Sequence, residues 1–300
     1  MAIPRLGWEQ LPDAVRHAVE ALLGPVWSAK TVTHGQNSAL ATILDTQQGR
    51  VFVKGLRTGQ RGVVSQQREA AINPHVRAVS PALLWRIEIA GWDLLCFEYV
   101  AGRGVDYTPG SADLPRLVST MQRLAEVPCP NLPPAYFRPA EQRWAEPLDD
   151  PATRELLAGD TILHTDYNPA NILVTSSGNV QIIDWAWPTK GAAWIDPANL
   201  VPRLIASGHS PASAEEVARG CPAWRDADPA AINLFASALT SLWADIARDQ
   251  PDEGWKQTLA ASTRQWLNHR LAAVIVTGRQ EQCGAWFAEC LPDEGHGTRC

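Results

Sequence analysis

Asp166, Asn171 and Asp184 stand at successive offsets of five and thirteen residues. The first two lie in His164-Thr165-Asp166-Tyr167-Asn168-Pro169-Ala170-Asn171-Ile172-Leu173, the third ends Ile182-Ile183-Asp184. An acid, an amide five on, an apolar strand, and a second acid closing a second strand suit metal-assisted phosphoryl transfer. One carboxylate can orient an attacking hydroxyl. The amide oxygen and the other carboxylate can hold Mg²⁺ on nucleotide phosphates. Each residue alone has a plainer reading, since Asp and Asn commonly cap turns. That reading leaves the joint spacing unexplained.

Such a trio needs a scaffold, and the elements change character along the chain. Residues 8–23 read as an amphipathic helix with Leu11, Val15, Val19 and Leu22 on its apolar stripe. Strand-like runs follow at 31–33 and 39–44, joined by His34-Gly35-Gln36-Asn37-Ser38. Gln47-Gln48-Gly49-Arg50 is a turn, and Val51-Phe52-Val53-Lys54 a third strand. Residues 63–78 read as a helix containing Glu69. Runs at 81–85 and 86–90 turn at Gly91 into the strand Leu94–Val100, which stops at Ala101-Gly102-Arg103-Gly104. From there helices dominate: 111–126, part of 140–158, 196–207, 212–219, 229–248 and 254–278, with short strands at 171–175 and 180–184. A strand-rich first third and a helix-rich remainder predict an α+β protein of two lobes, residues 1–100 and 101–300. The tail Leu291–Cys300 reads as frayed.

Composition narrows the classes of function. A net charge of −6 argues against a nucleic-acid partner, which calls for a basic patch, and is compatible with a cationic small substrate. The N-terminus lacks the apolar run of a signal peptide, and the apolar run 271–276 is too short to span a bilayer. The expectation is a cytoplasmic protein without a membrane partner. The six cysteines form no CxxC pair, which predicts free thiols; Cys283, Cys290 and Cys300 lie close enough in sequence to pair on oxidation. Lys30, Lys54, Lys190 and Lys256 are the only lysines among the 26 basic residues, which singles out Lys54 inside its strand.

With Lys54 and the run at 97–102 added, the arrangement resembles the protein-kinase-like fold, and in particular the aminoglycoside phosphotransferase family. The resemblance spans residues 30–200 and extends to the helical remainder by general layout. It implies an antiparallel N-terminal β-sheet lobe with a helix and a larger, mainly helical C-terminal lobe. It implies Asp166 as the group that aligns the substrate hydroxyl, and Asn171 and Asp184 as Mg²⁺ ligands. Lys54 resembles the lysine that contacts the α- and β-phosphates, and Glu69, fifteen residues on, the carboxylate that orients it. Phe97-Glu98-Tyr99-Val100-Ala101-Gly102 resembles the hinge, where the Glu98 carbonyl and the Val100 N–H would pair with adenine. Gly35 and Ser38 fall in the loop that would cover phosphates, a loop poorer in glycine than in protein kinases. His164 and Asp196 are expected to brace the catalytic loop, Asp196 as a helix N-cap followed by Pro197. Trp185 and Trp187 are candidate walls of the acceptor site.

The departures from protein kinases point to a small acceptor. Thr165 stands where a catalytic-loop arginine would be, and Trp185-Ala186 follows the metal acid. Only residues 185–195 separate Asp184 from Asp196, too few for a peptide-docking segment. The expected activity is O-phosphorylation of a hydroxylated small molecule, cationic or a nucleoside, with ATP (GTP being the alternative) and Mg²⁺. An aminoglycoside or nucleoside antibiotic is the foremost candidate, which would make the activity a resistance mechanism. Homoserine, choline and sugars are the alternative acceptors, and a nucleotide-binding pseudokinase the alternative without turnover. Glu215, Glu216, Asp226, Asp228, Asp245 and Asp249 are candidates to receive a polyamine, against the plainer reading of a solvated acidic surface. A monomer or a homodimer fits equally.

Overall fold

The computed structural model describes residues 3–33, 35, 37–148 and 151–289, the side chains of 273–289 excepted. His34, Gln36, the tail at 291–300 and the side chains of Cys283, Cys290 and Cys300 lie outside the described residues.

Pro12 divides the first predicted helix: Trp8–Gln10 is a single 3₁₀ turn, and α1 spans Asp13–Leu23. Its buried stripe is Val15, Val19 and Leu23 at a spacing of four, and Leu22 faces solvent. Five antiparallel strands follow: β1 (Val26–Thr31), β2 (Leu40–Thr46), β3 (Gly49–Arg57), β4 (Leu83–Ile89) and β5 (Trp92–Glu98), in the spatial order β1-β2-β3-β5-β4. The turn Ala90-Gly91 joins β4 to β5 with φ of 48° and 77°, the two left-handed residues of a type I′ hairpin. Between β3 and β4 lies α2 (Val63–Ile72), shorter than the expected 63–78. Asn73 keeps helical backbone (φ −51°, ψ −43°), but Pro74 has no N–H to continue the α-helical ladder, and the chain tightens into a 3₁₀ turn, Asn73–His75. The Asn73 side chain donates to the Pro81 carbonyl (2.8 Å) and accepts from Leu83 N–H (2.7 Å), tying the helix end to β4.

Position within this sheet decides what Lys54 and Glu69 can do. β3 is central, paired to β2 and β5 on either side. Lys54 therefore leaves the sheet from its middle and is buried. Gln66 Nε2 donates to the buried Asp93 carboxylate (2.7 Å) and to the Asp93 carbonyl (3.0 Å), which locks α2 onto β5. Glu69 is one turn further along the same helix face, so that lock also fixes Glu69 above the sheet.

Beyond β5 the chain becomes mainly helical. β6 (Gly102–Gly104), α3 (Asp113–Ala125), β7 (Arg138–Pro139), α4 (Ala140–Arg143), α5 (Pro151–Glu155) and β8 (Thr161–Leu163) precede the opening motif. β9 (Ile172–Thr175), β10 (Val180–Ile182) and β11 (Thr189–Gly191) follow it, then α6 (Ile195–Ala206), α7 (Pro211–Arg219), α8 (Pro222–Arg225), α9 (Pro229–Asp249) and α10 (Gly254–Glu289). The small strands form two three-stranded sheets, β10-β9-β6 and β7-β11-β8. They carry the chemistry-bearing residues on their connections: Asp166 and Asn171 between β8 and β9, Asp184 between β10 and β11. Ile182 N–H donates to Val79 O (2.7 Å), joining β10 to the segment between α2 and β4. α9 is long and apolar enough, by length and composition, to cross a membrane. Here its Ile232, Phe235 and Leu239 lie in the core of the helical part, with Phe235 edge-on to Trp144 and Trp194.

Candidate active site

Three ionised groups from three distant elements meet at Lys54. Its ammonium pairs with Glu69 of α2 and with Asp184 Oδ1 at 3.0 Å. Burial alone would lower the lysine pKa, but the charge of Asp184 and then of Glu69 outweighs it and the pKa is raised. Asp184 is held below the usual carboxylate range by the Lys54 charge, against the pull of burial. Glu69 is raised by burial, and the Lys54 charge offsets this only in part. The Lys54–Asp184 pair is thus firmly charged. Glu69 also accepts the Trp185 N–H, so α2 is tied directly to the loop after β10.

A second group surrounds Asp166. Its Oδ2 accepts from Asn171 Nδ2 at 3.0 Å, and its Oδ1 from Asn168 N–H and Arg203 Nη2, both at 3.3 Å. Asn168 caps the 3₁₀ turn Pro169–Asn171 through its own side chain (3.0 Å to Ala170 N–H), and that turn delivers Asn171 back toward Asp166.

His164 holds the two groups in register. Its Nδ1 accepts the Asp166 N–H (3.3 Å) and its Nε2 faces the Ile183 carbonyl (3.0 Å), which requires the tautomer protonated at Nε2. Ile183 N–H in turn donates to Asn171 O at 2.9 Å. Thr165 and Asp184, one in each loop, have left-handed φ of 65° and 64°. For non-glycine residues that conformation costs about 1–3 kcal/mol each and persists where the surroundings over-determine it.

Asp196 supplies part of that constraint. Its carboxylate accepts His164 N–H (3.0 Å), Thr165 N–H (2.9 Å) and Tyr167 O–H (3.0 Å). This corrects the N-cap expectation: α6 begins at Ile195, and Asp196 caps no N–H of its own helix but serves the loop between β8 and β9. Burial raises its pKa, since its donors are two peptide groups and a phenol rather than a cation. Asp196→Ala would strand three buried donors at about 1–3 kcal/mol each, less what water entry recovers. A loss of about 3 kcal/mol in urea unfolding is expected; a change under about 0.5 kcal/mol would show that the brace is dispensable.

Arg143 is a partner that the sequence did not reveal. Its Nη1 donates to Thr165 Oγ1 (2.6 Å), Trp187 O (2.9 Å) and Thr189 Oγ1 (2.8 Å). Burial lowers its pKa to about 10, opposed by the charges of Asp166 and Asp196. Trp185 is buried edge-on against His164, at 4.8 Å between centroids. Trp187 faces outward, so of the two tryptophans only it can line an acceptor site.

The remaining expected residues lie at the sheet rim. Glu98 ends β5, and its side chain accepts the Ala82 N–H at 3.1 Å. Val100 lies in the link before β6. Gly35 has φ 86°, and the Gly35 and Ser38 carbonyls accept from Arg5 at 2.7 and 2.8 Å, an anchor for this loop that the sequence did not suggest.

The free acceptors fit a divalent cation that arrives with phosphate. Asn171 turns its Nδ2 to Asp166, which directs Oδ1 away from it. Asp184 commits Oδ1 to Lys54 and retains Oδ2. One carboxylate and one amide oxygen are the sparse donor set Mg²⁺ takes when phosphates and water complete its shell. Among the described residues, no group of three His, Cys, Asp or Glu could hold a metal by itself. A separate cavity of about 570 Å³ is lined by Arg68, Arg138, Glu141, Asp160 and Lys190; neither Asp166 nor Asp184 reaches it.

Comparison with known proteins gives this geometry a context. The model of a family described as "Phosphotransferase enzyme family" (APH) matches residues 28–235. An aminoglycoside phosphotransferase from Alicyclobacillus acidocaldarius subsp. acidocaldarius is similar in structure, with a TM-score of 0.58 at 13% identity, over 92% of this chain and 99% of that one. The choline kinase LicA from Streptococcus pneumoniae is similar with a TM-score of 0.55 at 14% identity, over 85% and 98%. A mutant of the aminoglycoside phosphotransferase APH(4)-Ia, in ternary complex with ADP and hygromycin B, is similar with a TM-score of 0.55 at 14% identity, over 84% and 98%. Likeness at these identities shows a shared fold, α+β with an antiparallel sheet and a helical lobe. No curated protein sequence matches the chain.

Proposed function

The chain belongs to the phosphotransferase enzyme family, and from that premise we propose that it is an ATP- and Mg²⁺-dependent O-phosphotransferase acting on a hydroxyl of a small molecule. The observation that carries the proposal is the joining of the Lys54–Glu69–Asp184 ion pairs to the Asp166–Asn171 pair through His164. A module that only bound nucleotide would have no use for a carboxylate fixed by three separate donors and linked through His164 to the loop that carries Asp184.

In this reading the residues 1–100 bind the nucleotide and 101–300 supply the catalytic loop and the acceptor site. Lys54 meets phosphate oxygens, and Glu69 and Asp184 keep its ammonium aimed. The backbone at Glu98 and Val100 faces the base, and the loop with Gly35 and Ser38 lies over the phosphates. Asp166 accepts a hydrogen bond from the acceptor hydroxyl, lines its oxygen up for in-line attack, and takes the proton as that oxygen bonds to the γ-phosphorus and the bond from phosphorus to the bridging oxygen of the leaving ADP breaks. Asn171 Oδ1 and Asp184 Oδ2 are the ligands for Mg²⁺. Bound there with nucleotide, the ion would offset charge on the phosphate oxygens.

The acceptor is an antibiotic in the first reading, and the reaction then confers resistance. A phosphate adds about −1.5 to −2 charge where the drug's target expects a neutral hydroxyl. Support comes from neighbours in fold described as aminoglycoside and spectinomycin phosphotransferases. The likeness to a choline kinase supports a metabolite acceptor as the second reading. A requirement for ATP suits work in the cytoplasm. The test is ADP formation from Mg·ATP with a panel of hydroxylated acceptors, followed by mass spectrometry. ADP matched by an acceptor heavier by one phosphate is expected. Nucleotide binding without any phosphorylated product would instead identify a binding module.

A further inference from the structure

The surroundings of Asp166 carry more positive charge than aligning a hydroxyl requires. Arg203 of α6 touches it at 3.3 Å, and Arg143 lies under the same loop at Thr165 Oγ1. Arg68 covers the ring of Trp187 at 6.0 Å, and Arg143 approaches that ring at 5.8 Å. Arg68 also lines a separate cavity of mixed charge, where Lys190 pairs with Asp160 at 2.7 Å.

Arg203 also fills an aromatic cage. Its guanidinium lies 5.4 Å from the Trp243 ring and 5.8 Å from Trp255, and the two indoles meet edge to face at 5.9 Å. An ammonium-bearing ligand would seek such a cage, but the chain occupies it with its own cation. Trp255 nevertheless leaves 43% of its surface exposed, and Trp187, at the Thr165 side of the loop, 51%.

The carboxylates that could draw a polyamine are mostly engaged elsewhere. Glu215 is buried, with Trp266 Nε1 at 2.8 Å and Arg270 at 3.2 Å. Glu216 pairs with Arg219 and Asp245 with Arg248, while Asp228 caps α9 through Ala230 N–H. A polycation approaching Asp166 would meet guanidinium groups, and the acid beside Trp255, Glu253, already accepts from Trp255 Nε1 at 2.8 Å and faces Lys256 at 3.9 Å.

We propose that the acceptor carries no net positive charge and presents a flat or apolar ring that stacks on Trp255, with Arg203 facing its oxygen or anionic groups. This rests on the phosphotransferase reading of Asp166 and narrows it to neutral or anionic ring-bearing alcohols.

The charge of the groove can be read before the acceptor is known. Neomycin is titrated calorimetrically into the protein saturated with AMP-PNP and Mg²⁺. No binding is expected, or only surface binding that Trp255→Ala leaves unchanged. Neomycin binding that Trp255→Ala weakens would overturn the proposal. In turnover against hydroxylated acceptors of graded charge, the highest kcat/KM is expected among neutral and anionic ring compounds. For the best of them, Trp255→Ala should raise KM about tenfold with kcat little changed, and Trp255→Phe should restore it. A polycation as the best acceptor, or a KM indifferent to Trp255→Ala, would reject this acceptor class while the kinase reading stands. Absence of AMP-PNP binding together with absence of ADP formation would reject the kinase reading itself, and the neomycin titration would still report the sign of the groove.

Discussion

Replacing Asp166 by alanine is expected to lower kcat for ADP formation by about 10²–10⁴-fold while KM for ATP moves by no more than about twofold. The carboxylate stands apart from the Lys54 cluster: its contacts are Asn171, Asn168 and Arg203, none of them an ion-pair partner of Lys54. Nucleotide binding should therefore survive its loss, and the chemical step should not. The side chain is partly exposed, so truncation opens no buried cavity. Arg203 keeps its aromatic neighbours after the change, which limits collapse of the loop. Single-turnover measurement with saturating acceptor separates the step from product release. Undiminished ADP formation by the alanine variant, with the phosphorylated product still made, would remove Asp166 from the mechanism.

The parts of this site that were legible in the sequence are those set by local offsets. Asp166, Asn171 and Asp184 lie on the connections that flank the β9–β10 hairpin, so their spacing along the chain already limits their spacing in space. Lys54 and Glu69 were legible because a lysine is out of character in an apolar strand and a carboxylate followed in the next helix. The structure brings them together through a buried lock, Gln66 to Asp93, that has no linear signature. Arg143 comes from a helix of four residues after a proline-rich stretch, too short for any periodic pattern to mark. Arg203 did leave a trace. It is seven residues after Asp196 on α6, hence on the same helix face, and a helix that braces the loop with one residue presents the other to it two turns on. The strands β6, β7, β8 and β11 have two or three residues each and carry no alternation to detect. Helix limits failed at prolines: Pro12 split the first, and Pro74, without an N–H for the α-helical ladder, turned the second into a 3₁₀ turn, so local backbone chemistry overrides an apolar stripe that runs on.

Asp184→Asn is expected to cut kcat by at least about 10²-fold and to raise the Mg²⁺ concentration needed for half-maximal activity, with little change in fold stability. Asparagine is the informative replacement because Asp184 has φ 64° and asparagine tolerates the left-handed region better than other non-glycine residues. The backbone of the loop can then persist while one charge is removed. That charge has two tasks in the geometry. Oδ1 pairs with Lys54 at 3.0 Å, and Oδ2 is the carboxylate oxygen left for a cation. Neutralising it leaves Lys54 with Glu69 as its one ionic partner. Lys54 would then turn wholly to Glu69, and an amide oxygen would replace a carboxylate in a donor set that has only one to lose. Raising Mg²⁺ should recover part of the rate, whereas the Asp166→Ala deficit should be independent of Mg²⁺. That contrast separates cation holding from hydroxyl alignment, and it does not depend on which acceptor is used. Equal Mg²⁺ dependence in the two variants would mean that the loops after β8 and β10 act as one unit, coupled through His164, and that the division of roles between Asp166 and Asp184 is wrong.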